Sequence, residues 1–184
     1  MVETAKYDVV LEKGEFEIRR YHKMLKATVG STVGSQFSRL FQYISGNNKS
    51  RTKIDMTSPV MTSEKIEMTA PVLSTGGSMS FVLPSKYSFD TVPEPNDPAV
   101  SIGEAPERYV AVIRFRGLAW REDVEKKTKR LLDWLSNEGV EHEGETFLMQ
   151  YNPPFVPGFL RRNEVGVEIR YERGALHDRA RQSP

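Results

Sequence analysis

The chain of 184 residues contains no cysteine and only three histidines. Disulfide bonds, thiolate nucleophiles and cysteine-bound metals are therefore excluded, and a zinc site built from His and Cys is not expected. No run of residues approaches the roughly 20 apolar residues of a membrane span. The patterns G-x-S-x-G, H-E-x-x-H and G-x-x-x-x-G-K-[ST] are also missing, so three common catalytic or nucleotide-binding signatures are excluded.

Charge of either sign is also not in excess. The formal net charge is +1, which gives no overall reason to expect nucleic acid or an anionic membrane as a partner. Apolar residues make up 38% of the chain and charged residues 28%, which is typical of a globular protein with a sizeable core. The N-terminal stretch has no apolar segment of the kind that signal peptides carry. These features predict a cytoplasmic protein.

Alternating apolar residues predict a series of β-strands. The period of two is clear in "EFEIRRY", "MLKATVGS" and "SMSFVLP", and the first two are expected to form a hairpin. Phe16 and Ile18 alternate with charged residues, which indicates a half-buried strand. Further strands are predicted in "AVSIGEA", "RYVAVIRFRG", "TFLMQYN" and "NEVGVEIRY". The Pro-rich loop "SKYSFDTVPEPNDPAV" is expected to connect two halves of the chain.

Two stretches have helical periodicity. The first follows Ser35, a candidate N-cap, and places Phe37, Leu40, Phe41 and Ile44 on one face by the spacing i, i+3, i+4, i+7. The second, "WREDVEKKTKRLLDWLSNEG", predicts a longer helix that ends at a glycine.

The second helix carries a basic cluster, "EKKTKRLLDW", and two tryptophans. The cluster is interpreted as a solvated face, with contact to RNA or a membrane as the alternative. Trp120 and Trp134 are close to four turns apart and are expected to share one side of the helix for packing.

The order of predicted elements is β-β-α-β-β, a Pro-rich loop, and β-β-α-β-β again. This order predicts an α+β fold with a pseudo-twofold duplication of a ββαββ unit, in which both helices pack on sheets that curl into one barrel. We expect one domain over residues 1–184, with halves at about 7–84 and 99–171. Residues 174–184 lack an apolar pattern and are expected to form a disordered tail.

The stretch from Lys53 to Val72, "KIDMTSPVMTSEKIEMTAPV", contains one octapeptide pattern twice. In an extended chain each copy places an Ile-Met pair on one face, and the prolines restrict it to a sheet edge, bulge or strand end. Because methionine adapts to flat apolar partners, Met56 is either core packing or a ligand contact. Asp55 and Glu67 are more readily explained as solvated strand residues than as a catalytic pair.

These motifs together resemble the heme-binding protein/SOUL family. The resemblance rests on "KIDMTSPV" and "KIEMTAPV" after a short helix ending "YISGNN", on "FEIRRY", on "VPEPNDPAV" before "VSIGEA", and on "YNPPFVPGFLRRNEV". It covers roughly residues 7–171. It implies a distorted antiparallel β-barrel flanked by two helices, and non-covalent binding of heme or another tetrapyrrole without enzyme activity, as an intracellular carrier or buffer.

The resemblance also implies where a tetrapyrrole would bind. The first-helix face of Phe37, Leu40, Phe41 and Ile44 would form the floor of the site, with Met56 nearby, unless that face simply packs against the sheet. Burial of a porphyrin face at about 25 cal/mol per Å² can carry binding without an iron ligand.

Basic residues at the rim would hold the propionates. This chain has uncharged residues at positions where some members carry basic ones, namely Gly34, Gln42 and Val156. The nearest basic residues in sequence are Arg39, Arg161 and Arg162, which are the expected rim.

His22 is the candidate iron ligand because it is the only histidine near a strand edge. The position before the tyrosine, where a ligand has been proposed in the family, is Arg20 here. Two other functions remain open. One is an effector-binding-type module for other bulky hydrophobic ligands, or a protein-interaction module. The other is an enzyme that uses an acid such as Glu67 or Glu104.

Overall fold

The computed structural model describes residues 3–31, 35–50, 70–75, 77–152 and 155–171. The helices are α1 (Gln36–Ile44) and α2 (Arg121–Glu138), and a 3₁₀ turn covers Gly158–Leu160. The strands are β1 (Tyr7–Lys13), β2 (Phe16–Tyr21), β3 (Met24–Val29), β4 (Asn48–Lys49), β5 (Val72–Thr75), β6 (Ser78–Val82), β7 (Glu94–Pro95), β8 (Val100–Ala105), β9 (Arg108–Arg116), β10 (His142–Gln150) and β11 (Arg162–Ile169).

Nine strands form one curled antiparallel sheet in the order β1-β2-β9-β11-β10-β5-β6-β3-β8. This order is symmetric about the β10–β5 pair, so that β11 corresponds to β6, β9 to β3, and β2 to β8. Along the chain, the first ββαββ unit consists of β2, β3, α1, β5 and β6, and the second of β8, β9, α2, β10 and β11. The first strand of each unit pairs with the second strand of the other unit: β2 pairs with β9, and β8 pairs with β3. The predicted α+β class and duplicated order are therefore confirmed.

The predicted hairpin of β2 with β3 is wrong. Strand β2 has its two hydrogen-bonding edges occupied by β1 and β9, and β3 has its edges occupied by β6 and β8. The hairpin partner of β2 is β1, a strand that the sequence pattern did not reveal. Gly14 has a φ of 65° in the turn between them, a backbone conformation that glycine adopts without a steric cost.

The start of α1 and the end of α2 lie where local sequence chemistry directs. The Ser35 hydroxyl accepts a hydrogen bond from the Ser38 amide, 3.2 Å away, and so caps α1. Gly139 has a φ of 65° and donates to the Leu135 and Ser136 carbonyls at the end of α2. Glu122 and Asp123 lie in the first turn of α2, where carboxylates interact favourably with the helix dipole.

Each helix covers one end of the sheet. Helix α1 packs on β3, β6 and β8, and α2 packs on β9, β10 and β11. On α2, Trp134 is buried and stacks on Phe16 of β2, with ring centroids 4.8 Å apart. Trp120 is instead exposed at the N-cap, so the prediction that the two tryptophans share a packing side is wrong.

The Pro-rich loop is tied to the first unit. Strand β7 within this loop pairs with β4, and the Tyr43 hydroxyl donates to the Pro93 carbonyl at 2.8 Å. Val92 is buried in the core under α1. These contacts hold the loop against the C-terminal end of α1.

Two predictions fall on parts of the chain that are not described. Residues 53–69 of the repeated stretch, including Met56 and Glu67, lie outside the described residues, as does the tail 174–184. In the described part of the chain, neither helix combines the length and the apolar character needed to cross a bilayer.

Candidate functional site

Two phenylalanines on α1 form an open aromatic surface. Phe37 and Phe41 are 38% and 47% exposed, and their rings lie almost parallel, at 12°, with centroids 6.0 Å apart. The edge of Phe37 also contacts Phe81 of β6, at 5.5 Å and 65°, which fixes the pair against the sheet. This rigid, apolar and accessible pair, hereafter the aromatic pair, can accept a flat ligand.

The rest of the predicted helix face points inward. Leu40 and Ile44 are buried in the core together with Tyr43. At roughly 100° per residue, Phe37 and Phe41 occupy one margin of the apolar stripe, whereas Leu40 and Ile44 occupy its centre. The sequence pattern placed all four side chains on one face but could not show that the sheet covers only part of it. Leu40 and Ile44 support the aromatic pair from beneath.

Arg39 lies on the other side of α1. It is two residues after Phe37, or roughly 200° around the helix. Its Nη1 atom is 2.6 Å from Asp97 Oδ2, in the Pro-rich loop. The Ala99 amide and Arg39 itself lower the pKa of the Asp97 carboxyl, so the ion pair is charged at neutral pH. Arg39 therefore ties the loop to α1 and is turned away from the aromatic pair.

Arg161 ends the 3₁₀ turn and Arg162 begins β11, both in the second unit. Arg161 Nε donates to the Val156 carbonyl at 2.8 Å. Arg162 pairs with the buried Glu164, Nη2 to Oε1 at 2.6 Å, and its guanidinium lies over the Tyr151 ring. These contacts assign Arg162 to a charged cluster in the sheet and not to the helix that carries the aromatic pair.

That buried charged cluster was missed by sequence analysis. Arg19 of β2 is fully buried and makes a bidentate ion pair with Glu164, with N–O distances of 2.6 and 2.9 Å. Arg19 Nε also bonds Glu17 at 2.7 Å, and Arg114 bonds Glu17 from the neighbouring strand β9. The interpretation of β2 as half-buried is wrong, because Glu17 and Arg19 alternate with Ile18 and are buried on the opposite face.

Tyrosines complete the cluster. The Arg19 guanidinium lies 4.3 Å from the centre of the Tyr7 ring, and the Tyr151 hydroxyl donates to Glu164 at 2.7 Å. Burial alone would raise the pKa of the Glu164 carboxyl, but the Arg19 hydrogen bonds and charge outweigh it and lower the pKa to about 2. Burial also raises the pKa of the Tyr151 hydroxyl. The cluster is thus ionic at neutral pH, and the chain's own Arg19 already satisfies the carboxylate.

His22 lies apart from the aromatic pair. Its Nε2 atom is 3.0 Å from Asp8 Oδ2, and the same carboxylate accepts a hydrogen bond from Arg20 at 2.6 Å. His22 borders a cavity of about 470 Å³ whose wall includes Tyr87 and Phe89 but no residue of α1. Within the described ranges, no group of three or more acidic, His or Cys side chains is arranged to hold a metal ion.

Comparisons with known proteins agree with the family predicted from the motifs. The model of the family described as SOUL heme-binding protein matches residues 2–168. Heme-binding protein 2 of Homo sapiens is 31% identical over 162 residues, which cover 84% of this chain and 78% of that protein. Heme-binding protein 1 of Xenopus tropicalis is 30% identical over 168 residues, covering 85% and 87%.

A similar fold occurs in a bacterial protein domain of very different sequence. The solved structure of the EcmrR C-terminal domain has a TM-score of 0.52 with 6% sequence identity, and the match covers 90% of this chain and 99% of that one. At this identity the likeness concerns the fold alone.

Proposed function

Because the chain belongs to the SOUL heme-binding protein family, we propose that it binds heme or a related tetrapyrrole non-covalently, as a carrier or buffer within the cell. The names of the relatives support heme as the ligand class. They also favour a binding role over a catalytic one. The observation that carries the proposal for this chain is the exposed, nearly parallel aromatic pair on α1.

The aromatic pair supplies the ligand contact in this proposal. Phe37 and Phe41 would lie against the face of the macrocycle, with Leu40 and Ile44 as their buried support. Met56 remains a predicted contact from the sequence. Apolar contact carries the affinity, because a ring contact of about 80 Å² at about 25 cal/mol per Å² contributes about 2 kcal/mol, or about thirtyfold in Kd.

Charged groups have a smaller part in the proposed site than the resemblance implied. Arg39 is already paired with Asp97 and is turned away from the aromatic pair, and Arg162 is paired with Glu164, whose burial makes that pair costly to break. The propionates therefore remain largely in solvent. When bound, heme supplies an iron centre and strong visible absorption, but binding does not depend on axial ligation by His22, which is hydrogen-bonded to Asp8.

A titration with hemin and with iron-free protoporphyrin, followed by visible spectroscopy, tests the proposal. We expect saturable binding of both, with Kd values within about tenfold, since iron ligation adds less than about 1.4 kcal/mol. In Phe41→Asp the affinity for both should fall about thirtyfold. Phe89→Asp is the matched control, because Phe89 is an equally exposed phenylalanine outside α1, and it should bind like the unmodified chain.

Absence of a saturable spectral change, or equal affinities in Phe41→Asp and Phe89→Asp, would contradict the proposal. Strong hemin binding without protoporphyrin binding would show that iron ligation is essential. His22→Ala would then show whether that histidine is the ligand.

The alternative functions give different results in the same assay. An effector-type module would bind assorted bulky hydrophobic compounds as tightly as porphyrin, and each would displace protoporphyrin. An acid-dependent enzyme is less favoured for Glu104, whose carboxylate pairs with Lys23 at 2.7 Å on the surface. Glu67 lies outside the described residues, and loss of turnover in Glu→Gln variants is the test for both acids.

A further inference from the structure

A second apolar surface is exposed in the second ββαββ unit. Its residues are distant in sequence from Phe37 and Phe41, which form the aromatic pair. Of the nine large apolar side chains exposed in the described part of the chain, five fall in two short segments. We call this surface the loop patch, and its members are Leu118, Trp120, Phe155, Phe159 and Leu160. Scattered exposed apolar residues are ordinary, but a cluster rimmed by polar residues marks an interaction site.

The two segments are held together by defined contacts. A Cβ on Gly158 would come within 2.8 Å of the Leu118 side chain, so Leu118 packs directly on the backbone of the 3₁₀ turn. The Gly117 amide donates to the Arg161 carbonyl at 3.1 Å, and Asn163 donates to the Gly117 carbonyl at 2.8 Å. The backbone at Gly117 and Leu118 is therefore held against the 3₁₀ turn, and Leu118, Trp120 and Phe159 line one groove.

The side chains of the loop patch project into solvent. Trp120 is 66% exposed, Phe159 74% and Phe155 86%. A residue that lines a closed ligand pocket would be covered on most sides, whereas these rings are open on most sides. Projecting Trp, Phe and Leu side chains are suited to a surface that they can enter, such as the interfacial region of a lipid bilayer.

Basic side chains surround one flank of the loop patch. The groove between Phe159, Trp120 and α2 is lined by five basic residues and one acidic residue, Asp123. The basic residues are Arg116, Lys126, Lys127, Lys129 and Arg130. Glu15 bonds Lys127 and Arg130 and balances one of these charges. A local excess of positive charge remains, although the whole chain has a net charge of only +1.

We propose that the loop patch docks on an anionic lipid surface. Trp120, Phe155 and Phe159 enter the headgroup region, while Lys126 and Lys129 of α2 face the lipid phosphates. From the sequence, the basic cluster of α2 was interpreted as a solvated face, with contact to RNA or a membrane as the alternative. The proposal assigns it contact with a membrane. This proposal goes beyond tetrapyrrole binding and does not use the aromatic pair, because no member of the loop patch belongs to α1.

The two tryptophans make the proposal measurable. In a Trp134→Phe background, which keeps an aromatic ring against Phe16, all tryptophan emission comes from Trp120. Vesicles of phosphatidylcholine with phosphatidylglycerol should shift this emission to the blue and protect it from acrylamide. Pure phosphatidylcholine vesicles should have a much smaller effect, and high salt should weaken the anionic response. Vesicle flotation of the unmodified chain provides the same measurement without substitution in the core.

Matched variants separate the contributions. Trp120→Ala with Phe159→Ala should reduce flotation with anionic vesicles at least tenfold, whereas Phe89→Ala, an exposed phenylalanine elsewhere, should not change it. Lys126→Glu with Lys129→Glu should abolish the preference for anionic lipid, and Lys49→Glu should retain it. Phe41→Asp should float like the unmodified chain, so failure of tetrapyrrole binding and failure of lipid binding are distinguishable.

Three results would overturn the proposal. The first is no blue shift and no flotation with anionic vesicles. The second is flotation unaffected by the loop-patch variants. The third is a loss of hemin affinity in Trp120→Ala as large as that in Phe41→Asp, without lipid binding, which would make the loop patch a tetrapyrrole site.

Discussion

Helix α2 buries its tryptophan, whereas helix α1 leaves two phenylalanines open, although the two helices occupy equivalent places in the two ββαββ units. Trp134 stacks on Phe16 in the core, and Phe37 and Phe41 stack on each other at the surface. Helix α1 has 9 residues and α2 has 18. Helix α1 therefore leaves an aromatic margin uncovered on its half of the sheet.

The sheet beneath α2 also contains more buried charged interactions than the sheet beneath α1. In the second unit the strands β9 and β11, with the exchanged β2, enclose the Arg19–Glu164 cluster. Buried ion pairs of this kind cost stability when one partner is removed, because the other charge is left buried. The second unit therefore concentrates interactions that stabilise the fold, and the first unit presents the surface for which we propose ligand binding. Each of the following substitutions tests that division.

Arg19→Met should have the largest effect. It leaves Glu164 buried without its bidentate partner, and we expect unfolding to become easier by about 4–5 kcal/mol in urea titrations. Adding Glu164→Met should recover only part of this loss, because Arg162 and Arg114 also bond Glu164 and then lose that partner. A loss below about 1 kcal/mol in the single variant would contradict a stabilising role for the cluster.

Trp134→Ala should cost about 3–4 kcal/mol of unfolding free energy, because it removes a large buried side chain. Phe37→Ala, the matched change on α1, should cost less than about 1 kcal/mol, since its ring is partly solvated already. Phe37→Ala should lower the affinity for hemin more than Trp134→Ala does. Equal stability losses in the two variants would remove the distinction between the helices.

Acid should lower the free energy of unfolding, because the Glu164 carboxylate becomes protonated. The pKa of its carboxyl is lowered from 4.5 to about 2, so its ionic contribution is complete above pH 4.5 and is lost as pH falls towards 2. The contribution amounts to about 3 kcal/mol. The free energy of unfolding, measured in urea between pH 6 and about 2.5, should therefore depend less on pH in Glu164→Gln than in the unmodified chain. The same pH dependence of the unfolding free energy in both proteins would show that the Glu164 carboxylate is not the titrating group.

Arg39→Ala should have the smallest effect. The Arg39–Asp97 pair is partly solvated, so its loss should cost less than about 1 kcal/mol. Hemin affinity should stay within about twofold, because Arg39 is turned away from the aromatic pair. A tenfold loss of affinity, confirmed by rescue with Arg39→Lys, would return Arg39 to the rim that sequence analysis predicted.

Periodicity was sufficient to predict the repeated element order and both helices, and local signals were sufficient to predict the start of α1 and the end of α2. It succeeded because helix caps and alternation depend on neighbours in sequence, as at Ser35 and Gly139. The exchange of β2 and β8 between the units was not predictable in this way. Strand pairing depends on which edges are free in the folded sheet, and residues between Tyr21 and Met24 carry no turn signal for either outcome.

The candidate site was predictable only in part for a related reason. Spacing placed Phe37, Leu40, Phe41 and Ile44 on one stripe, but the boundary of burial along that stripe depends on the position of Phe81 in another strand. The buried role of Arg19 likewise depends on Glu164, which is 145 positions away in the chain. Charged residues alternating with apolar ones more often face water, so the pattern alone favoured the wrong interpretation.

The most direct test follows backbone amide chemical shifts of the isotope-labelled protein while iron-free protoporphyrin is added. We expect the largest shifts in α1, Gln36–Ile44, and in the part of β6 that contacts Phe37. Amides of α2, Arg121–Glu138, should change little. Large shifts along α2 with an unperturbed α1 would contradict the proposal that the aromatic pair is the tetrapyrrole surface.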